Sequence, residues 1–113
     1  MLHSFGGPSE MIDELARLGG YFSLPGYFAH ARKERQRQVF RQVPADRLLI
    51  ETDAPDQCLP PERDKFPLKD SREERLNHPA NLAGVYEFAG ELREVRVESL
   101  AEMVEENFQR IFD

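Results

Sequence analysis

The sequence predicts an α/β fold built on a parallel sheet, and three observations support this prediction. Short apolar or aromatic runs alternate with segments in which apolar residues recur at helical spacing. The order along the first half of the chain is strand, helix, strand, helix, strand, which is typical of βαβ units. Glu51 and Asp53 directly follow the third apolar run, where parallel sheets bind ligands. We therefore expect about three parallel strands surrounded by helices.

The first half of the chain contains the three predicted strands and two helices. The strands are residues 2–5, residues 21–24 and the run that begins at Leu48. The first helix begins after Pro8, which suits a first helical position, and ends at Gly19-Gly20. Its apolar face consists of Met11, Ile12, Leu15, Ala16 and Leu18. The second helix covers residues 32–43, and Pro44 closes it.

The second half of the chain is predicted to hold a long loop and two closing helices. Residues 54–78 contain several prolines and many charges, so we expect a long surface loop, which in compact domains is often functional. A helix begins at Pro79, and its regular part ends at Gly90. Ser99 and Glu102 form a capping box that begins the last helix. The inward residues of that helix are Leu100, Met103, Val104, Phe108 and Ile111.

Length, charge and cysteine content restrict the class of protein. The 113 residues are enough for one small domain with a core. A formal net charge of −6 argues against broad attraction to nucleic acid or to an anionic membrane, although a bound cation can supply local positive charge. The single cysteine, Cys58, excludes an internal disulfide, and no histidine is placed to make it a nucleophile. Without a signal peptide or an apolar stretch of ~20 residues, we expect a cytoplasmic protein with no membrane partner.

The candidate metal ligands are His3 and Asp53. Each follows a predicted strand, and parallel α/β sheets bind their ligands beyond the carboxyl ends of the strands. A divalent cation between the two side chains would activate water, with Asp53 as ligand or general base. Glu51 lies one pleat deeper on the same face and would orient its neighbours by hydrogen bonds. Alternatives remain open, because an aspartate after a strand is often a turn former and a histidine near a terminus is often solvated.

Aromatic and basic residues outside this pair allow more than one interpretation. Tyr27 and Phe28 either stack on a nucleic acid base or form a hydrophobic lid over the strand ends. The second helix carries a basic face, which fits a solvated outer surface better than a nucleic acid site. That face consists of Arg32, Lys33, Arg35, Arg37 and Arg41. His30 and His78 are assigned no ligand role.

Five sequence blocks carry a more specific signal. They are HSFGGP at 3–8, GGYFSLPG at 19–26, VPADRLLIETDAP at 43–55, NHPANL at 77–82 and ENFQRIF at 106–112. In this order they closely resemble the C-terminal part of the TatD family of metal-dependent hydrolases, and the resemblance covers essentially the whole chain. It implies the late strands of a TIM (β/α)8 barrel of the amidohydrolase type. It also implies a deoxyribonuclease activity that depends on magnesium, often a 3′-5′ exonuclease.

The resemblance implies roles for individual residues. His3 matches a histidine that ligates metal after a late barrel strand. Asp53 matches the aspartate at the end of the last strand, a metal ligand that activates the attacking water, and Glu51 matches the acidic residue beside it. Asn77 matches the N-x-P signature before the closing helix, and Arg75, close to it, is a weaker candidate for a phosphate contact. The implied cofactor is a divalent metal, Mg²⁺ with Mn²⁺ or Zn²⁺ as alternatives, and the implied substrate is DNA.

The sequence also departs from the family pattern. The family's H-x-H pair on the first strand, its bridging glutamate and a further histidine have no counterpart among residues 1–113. A TIM barrel needs ~250 residues. We therefore expect residues 1–113 to be a single partial barrel domain made of late strands, the loop 54–78 and closing helices. Because two ligands are too few to hold a hydrolytic metal tightly, the isolated chain is expected to be inactive.

An open piece of a barrel has consequences for its partners. Its inner face and two strand edges would be exposed, so we expect association that covers them. Two alternative functions remain open. One is a catalytically silent α/β module that works only by association, and the other is a related amidohydrolase-type enzyme that cleaves an ester or amide.

Overall fold

A three-stranded parallel sheet forms the centre of the structure. The computed structural model describes residues 2–3, 5–52, 54 and 56–112, except for the side chain of His3. The strands are β1 (Leu2–His3), β2 (Phe22–Pro25) and β3 (Leu48–Glu51), in the spatial order β1-β2-β3. Both neighbouring pairs are parallel, with Phe22 opposite Leu2 on one side and opposite Leu48 on the other. The predicted parallel sheet is therefore confirmed.

Two helices connect these strands. The helix α1 covers Ile12–Arg17 after a 3₁₀ turn, and α2 covers Glu34–Arg41 after two 3₁₀ turns. Both helices are shorter than predicted, because their first turns wind as 3₁₀ rather than α. On α1, Ile12 is buried but Leu18 is 78% exposed. The prediction that Leu18 belongs to the apolar face is wrong, because Leu18 follows the last turn of α1 and faces solvent.

One residue of the basic face of α2 has a structural role. The guanidinium of Arg37 donates to the carbonyl oxygens of Phe28, at 2.8 Å, and His30, at 2.5 Å. These carbonyls end the 3₁₀ turn at Gly26–Ala29, so Arg37 fixes the segment that leaves the carboxyl end of β2. Hydrogen bonds from Gln38 and Arg37 lower the pKa of the Glu34 carboxyl below its ordinary value.

The region predicted as one long loop, residues 54–78, contains an antiparallel hairpin. Its strands are β4 (Pro67–Lys69) and β5 (Arg75–Asn77), with Leu68 opposite Leu76. The Asp70 carboxylate closes the turn, because its Oδ1 accepts from the backbone N–H groups of Arg72 and Glu74. The strands are three residues long and mostly exposed, so they produce no apolar alternation that a sequence pattern would register.

The helix α3 covers Leu82–Arg93, so the prediction that its regular part ends at Gly90 is wrong. The helix instead ends at Arg93, because the next residue, Glu94, takes a left-handed backbone conformation with φ of 56°. Gly90 is a point of close approach, because a Cβ there would lie 3.1 Å from the carbonyl oxygen of Val95. The chain thus turns back tightly over Gly90 into the last helix.

The last helix, α4, covers Val97–Phe112 and differs from prediction at two positions. It begins at Val97, so Ser99 lies inside its first turn and is not the capping residue. Leu100 and Val104 are buried as predicted, but Phe108 is 54% exposed. Phe108 therefore does not point into the core but lies on an open surface.

The core lies between the sheet and the helices and is rich in phenylalanine. Phe22 and Phe40 are fully buried, and the ring of Phe40 packs on the ring of Phe28 with centroids 5.7 Å apart. The buried amide of Asn107, on α4, donates to the carbonyl oxygens of Ala45 and Leu48, each at 2.8 Å. This amide joins the last helix to the start of β3. Among the described residues, no helix is long and apolar enough to cross a membrane.

Two leucines provide a matched test of this core. Leu24 is fully buried in β2, whereas Leu18 is exposed. Leu24→Ala should lower the free energy of unfolding by about 2–5 kcal/mol, because it leaves a cavity in a packed sheet. Leu18→Ala should change it by less than about 0.5 kcal/mol. Urea denaturation followed by circular dichroism measures both, and equal losses in the two variants would contradict this packing.

Candidate functional site

The carboxyl edge of the sheet is where the predicted site residues belong. Pro25 and Glu51 end β2 and β3 and are paired in register, and His3 at the end of β1 is level with Ser23. The side chain of His3 and the whole of Asp53 lie outside the described residues. The convergence of these two on one cation therefore stays a prediction, and only their neighbours are described here.

Glu51 has a defined partner in the sheet. The hydroxyl of Ser23 donates to Glu51 Oε2 at 2.7 Å, and Ser23 itself is 1% exposed. Because Ser23 pairs with Leu49, its side chain and that of Glu51 share one face of the sheet. The hydrogen bond holds the carboxylate against β2, just below the edge at which the strands end.

Glu51 also lies at the base of an open groove, a cavity of about 480 Å³. We name it the open groove, and its lining is Ser23, Leu49, Ile50, Glu51, Leu82, Tyr86, Val104, Glu105, Phe108 and Phe112. Phe108 and Phe112 are 54% and 64% exposed, and their rings stack with centroids 4.5 Å apart. Burial and, secondly, the charge of Glu105 raise the pKa of Tyr86 above its ordinary value. The groove is therefore mostly apolar, with two acidic residues, Glu51 and Glu105, in its lining.

Asn77 holds the backbone next to the predicted ligand Asp53. Its amide nitrogen donates to the carbonyl oxygen of Thr52 at 2.6 Å and to that of Asp56 at 3.0 Å. These two carbonyls flank residue 53 on either side along the chain. Asn77 is 2% exposed, so this contact is shielded from water.

Arg75 is engaged inside the loop 54–78. Its guanidinium donates to the carbonyl oxygen of Leu59 at 2.5 Å and to Asp64 Oδ2 at 2.9 Å. The Asp64 side chain is 4% exposed, so this ion pair is largely removed from solvent on the carboxylate side. The structure assigns Arg75 to holding the loop, and a phosphate contact by Arg75 stays a prediction.

The two aromatic candidates after β2 differ in accessibility. Phe28 is 5% exposed and belongs to the core, so the proposal that its ring stacks on a base is wrong. It points inward because the 3₁₀ turn at Gly26–Ala29 directs it toward Phe40. The Tyr27 ring is half-buried and is approached by the cations of Arg32 and Lys33, 4.9 and 5.2 Å from its centroid. Base stacking by Tyr27 stays a prediction.

The remaining histidines and the cysteine have local structural contacts. His30 Nε2 is hydrogen bonded to the carbonyl oxygen of Cys58 at 2.8 Å. His78 Nδ1 accepts from the backbone N–H of Ala80 at 2.9 Å and so caps the turn before α3. Within the part of the chain that the structure describes, no group of three or more His, Cys, Asp or Glu residues could hold a metal ion.

Sequence reasoning missed Asp64 and Asn81, which bind the site's neighbours. Asn81 Nδ2 donates to Asp64 Oδ1 at 2.9 Å and to Asn77 Oδ1 at 3.3 Å. Asn81 is 1% exposed. Both asparagines lie in the block NHPANL at 77–82, and that block was the signal in the sequence that could have identified the pair.

Comparisons with known proteins agree over the whole chain. The family model described as "TatD related DNase" matches residues 1–113. The "Uncharacterized metal-dependent hydrolase YcfH" of Escherichia coli (strain K12) is 37% identical over 112 residues, which cover 99% of this chain and 38% of that protein. The "3'-5' ssDNA/RNA exonuclease TatD" of Edwardsiella piscicida is 34% identical over 113 residues and is covered to 41%. The chain thus spans about two fifths of the length of these curated relatives.

Solved structures of the same kind share the fold. The crystal structure of YJJV, a TatD homologue from Escherichia coli K12, matches with a TM-score of 0.74 and 28% identity, over 93% of this chain and 37% of that chain. A TatD family hydrolase from Entamoeba histolytica matches with a TM-score of 0.76 at 21% identity. The sheet and helices described above are therefore arranged as in part of these larger proteins.

The hydrogen bond between Ser23 and Glu51 can be tested by stability. Ser23→Ala removes a buried donor from a carboxylate, and we expect a loss of about 1 kcal/mol in the free energy of unfolding. Ser71→Ala, in the exposed hairpin turn, is the matched control and should be neutral. Urea denaturation of both variants decides the point, and a neutral Ser23→Ala would argue against a structural role for this contact.

Proposed function

Because the chain belongs to the TatD related DNase family, we propose that it supplies part of the active site of a metal-dependent hydrolase that cleaves phosphodiester bonds in DNA. His3 and Asp53 would hold a divalent cation, with Mg²⁺ as the metal. The observation that carries the proposal is the family match over residues 1–113. The amide of Asn77 supports it, since this side chain binds the backbone on both sides of residue 53, at the carboxyl edge of the sheet.

The donor set limits what this chain does by itself. A divalent cation bound at such a site supplies Lewis acidity to the phosphate and lowers the pKa of bound water. Hydrolytic sites use three or more protein ligands, whereas the proposal takes two from this chain, His3 and Asp53. In the proposal, Asp53 is a ligand that also accepts a proton from the attacking water. Glu51 accepts a hydrogen bond from Ser23 and would orient its neighbours at the strand end.

The proposal also includes the rest of a barrel. Within the described sheet, β1 and β3 each pair with β2 alone, so each has one edge without a strand neighbour. The open groove beside β3 is apolar and has two exposed phenylalanines on its rim. We propose that residues 1–113 form the late strands of a TIM barrel and the helices around them. A polypeptide with the other strands would cover the groove, and this chain alone would be inactive. A cytoplasmic location remains a prediction.

A second candidate function has one observation in its favour. The chain spans only 38% of YcfH and 41% of the TatD exonuclease, which also fits a catalytically silent module that acts only by association. The two candidates differ in their dependence on Asp53. The hydrolase requires its carboxylate, whereas a silent module does not.

A chimera tests the hydrolase proposal. The 113 residues would replace the matching C-terminal segment of the TatD exonuclease of Edwardsiella piscicida, which is 34% identical. We expect the chimera to degrade single-stranded DNA in the presence of Mg²⁺, while the 113-residue chain alone shows no cleavage above background. Asp53→Asn should lower the rate of the chimera by about a hundredfold or more, because it removes a charged ligand.

Asp46→Asn provides the matched control. Asp46 is exposed in the turn before β3, at the opposite end of the same strand, and this variant should keep full activity. If the Asp53→Asn chimera cleaved DNA as fast as the unsubstituted chimera, the proposed role of Asp53 would be contradicted. Mg²⁺-dependent cleavage by the 113-residue chain that disappears in Asp53→Asn would contradict the inactivity of the isolated chain.

The open groove can be tested as a covered surface by splitting this chimera into two polypeptides. The 113-residue chain should bind the N-terminal part of the relative, and Phe108→Ser should weaken binding by about tenfold, the loss expected for one partly buried aromatic side chain. Phe66→Ser is the control, since Phe66 is 44% exposed but lies on the hairpin region outside the groove. Isothermal titration measures both constants. Equal weakening by the two variants would exclude the groove as the interface.

A further inference from the structure

A chain of four side chains connects the loop 54–78 to the backbone around residue 53. Arg75 donates to Asp64 at 2.9 Å, and Asp64 accepts from the amide of Asn81 at 2.9 Å. Asn81 donates in turn to Asn77 Oδ1 at 3.3 Å. The Asn77 amide nitrogen then donates to the carbonyl oxygens that flank residue 53. We name these four residues the amide relay.

Donor and acceptor chemistry allows one orientation of the two amides. Asn81 Oδ1 accepts from the backbone N–H of Phe66 at 3.1 Å, so its nitrogen must face the Asp64 carboxylate. The Asn81 nitrogen also donates to Asn77, so the Asn77 side chain must turn its oxygen toward Asn81. The Asn77 nitrogen is left to face two carbonyls, which are acceptors only. Each amide thus fixes the orientation of the next.

Burial makes this arrangement costly to disturb. Asn77 and Asn81 are 2% and 1% exposed, and the Asp64 side chain is 4% exposed. Among the described residues, no buried side-chain nitrogen or oxygen is without a hydrogen-bond partner. Removing one member would leave its neighbours with buried groups that water cannot reach. The disturbance would therefore pass along the relay to the carbonyls around residue 53.

We propose that Asn81, oriented by Asp64, is a positioning residue that acts through Asn77 to hold Asp53 in place for metal binding. This inference rests on the proposed function, because it takes Asp53 as a ligand. Asn81 lies on the other side of Asn77 from that backbone and does not contact it in the described structure. Asp64 and Asn81 orient the Asn77 amide, which binds the two carbonyls, and Arg75 holds the Asp64 carboxylate in place.

The chain offers a matched control at the other end of β3. Asn107 is also fully buried, and its amide nitrogen also donates to two backbone carbonyls, those of Ala45 and Leu48. Asn107→Asp therefore removes a buried amide that donates two hydrogen bonds, as Asn81→Asp does beside Asn77. It does so at the amino end of β3, away from residue 53.

The experiment compares Asn81→Asp with Asn107→Asp in the 113-residue chain, at about pH 8, where carboxylates are ionised. An ionised carboxylate cannot donate, so each variant loses its amide donors. Hydrogen exchange followed by mass spectrometry measures opening of residues 54–57 and of residues 48–50. We expect Asn81→Asp to speed exchange at 54–57 by about tenfold or more, an opening made easier by the loss of the two hydrogen bonds that Asn81 donates. Asn107→Asp should act at 48–50 instead.

Metal affinity is the second measurement, and it distinguishes a positioning role of Asn81 from a general loss of stability. Mn²⁺ binding by the chimera with the TatD exonuclease of Edwardsiella piscicida, measured by electron paramagnetic resonance, should weaken about tenfold in Asn81→Asp and stay unchanged in Asn107→Asp, as expected for an outer residue that orients a ligand. Asn81→Leu, which adds no charge, should weaken binding likewise. Asp53→Asn tests the proposed function separately from the positioning role of Asn81. Unchanged Mn²⁺ binding in that variant would refute the proposed function.

Other outcomes decide the positioning role. Loss of Mn²⁺ binding in Asp53→Asn together with wild-type affinity in both Asn81 variants would overturn it and leave the proposed function standing. Unchanged exchange at 54–57 in a folded Asn81→Asp chain would also overturn it. Because exchange needs no metal, that measurement tests the inference in the 113-residue chain itself.

Discussion

Buried carbonyl groups at the two ends of β3 need hydrogen-bond donors, and asparagine side chains supply them. At the amino end the donor is Asn107, from the last helix, and at the carboxyl end it is Asn77, from the hairpin. An unpaired carbonyl at this depth would cost about 1–3 kcal/mol. Because the donors come from distant parts of the chain, the two clamps place both α4 and the loop 54–78 relative to the sheet.

This constraint explains why a loop rich in proline and charge is ordered at all. The loop buries the side chain of Leu59, which is 1% exposed, but most of its residues are exposed, so hydrogen bonds must hold the rest. The pair of Arg75 and Asp64 does so inside the loop, and the amide of Asn81 binds the loop to the start of α3. The loop in turn fixes the segment that carries residue 53, which links the stability of the hairpin to the proposed chemistry at the sheet edge.

The candidate site could be predicted only in part from the sequence. The acids after the apolar run at Leu48 were visible because a buried strand that ends in carboxylates is unusual. The contact of Glu51 with Ser23 was not visible, since the two residues are 28 positions apart and only the parallel register brings them together. Phe28 was misassigned for a related reason: an aromatic residue in a loop looks the same in sequence whether it faces solvent or Phe40.

By itself, the sequence determined the order of strands and helices along the first half of the chain, the parallel sheet, the approximate positions of the helices and the family, because these depend on local periodicity, turn residues and specific motifs. The hairpin β4–β5, the end of α3 beyond Gly90 and the outward position of Phe108 were decided by tertiary structure. So were the amide contacts of Asn77, Asn81 and Asn107. The physical reason is that a hydrogen bond between side chain and backbone depends on which carbonyl is buried beside it, and that is known only once the whole chain has packed.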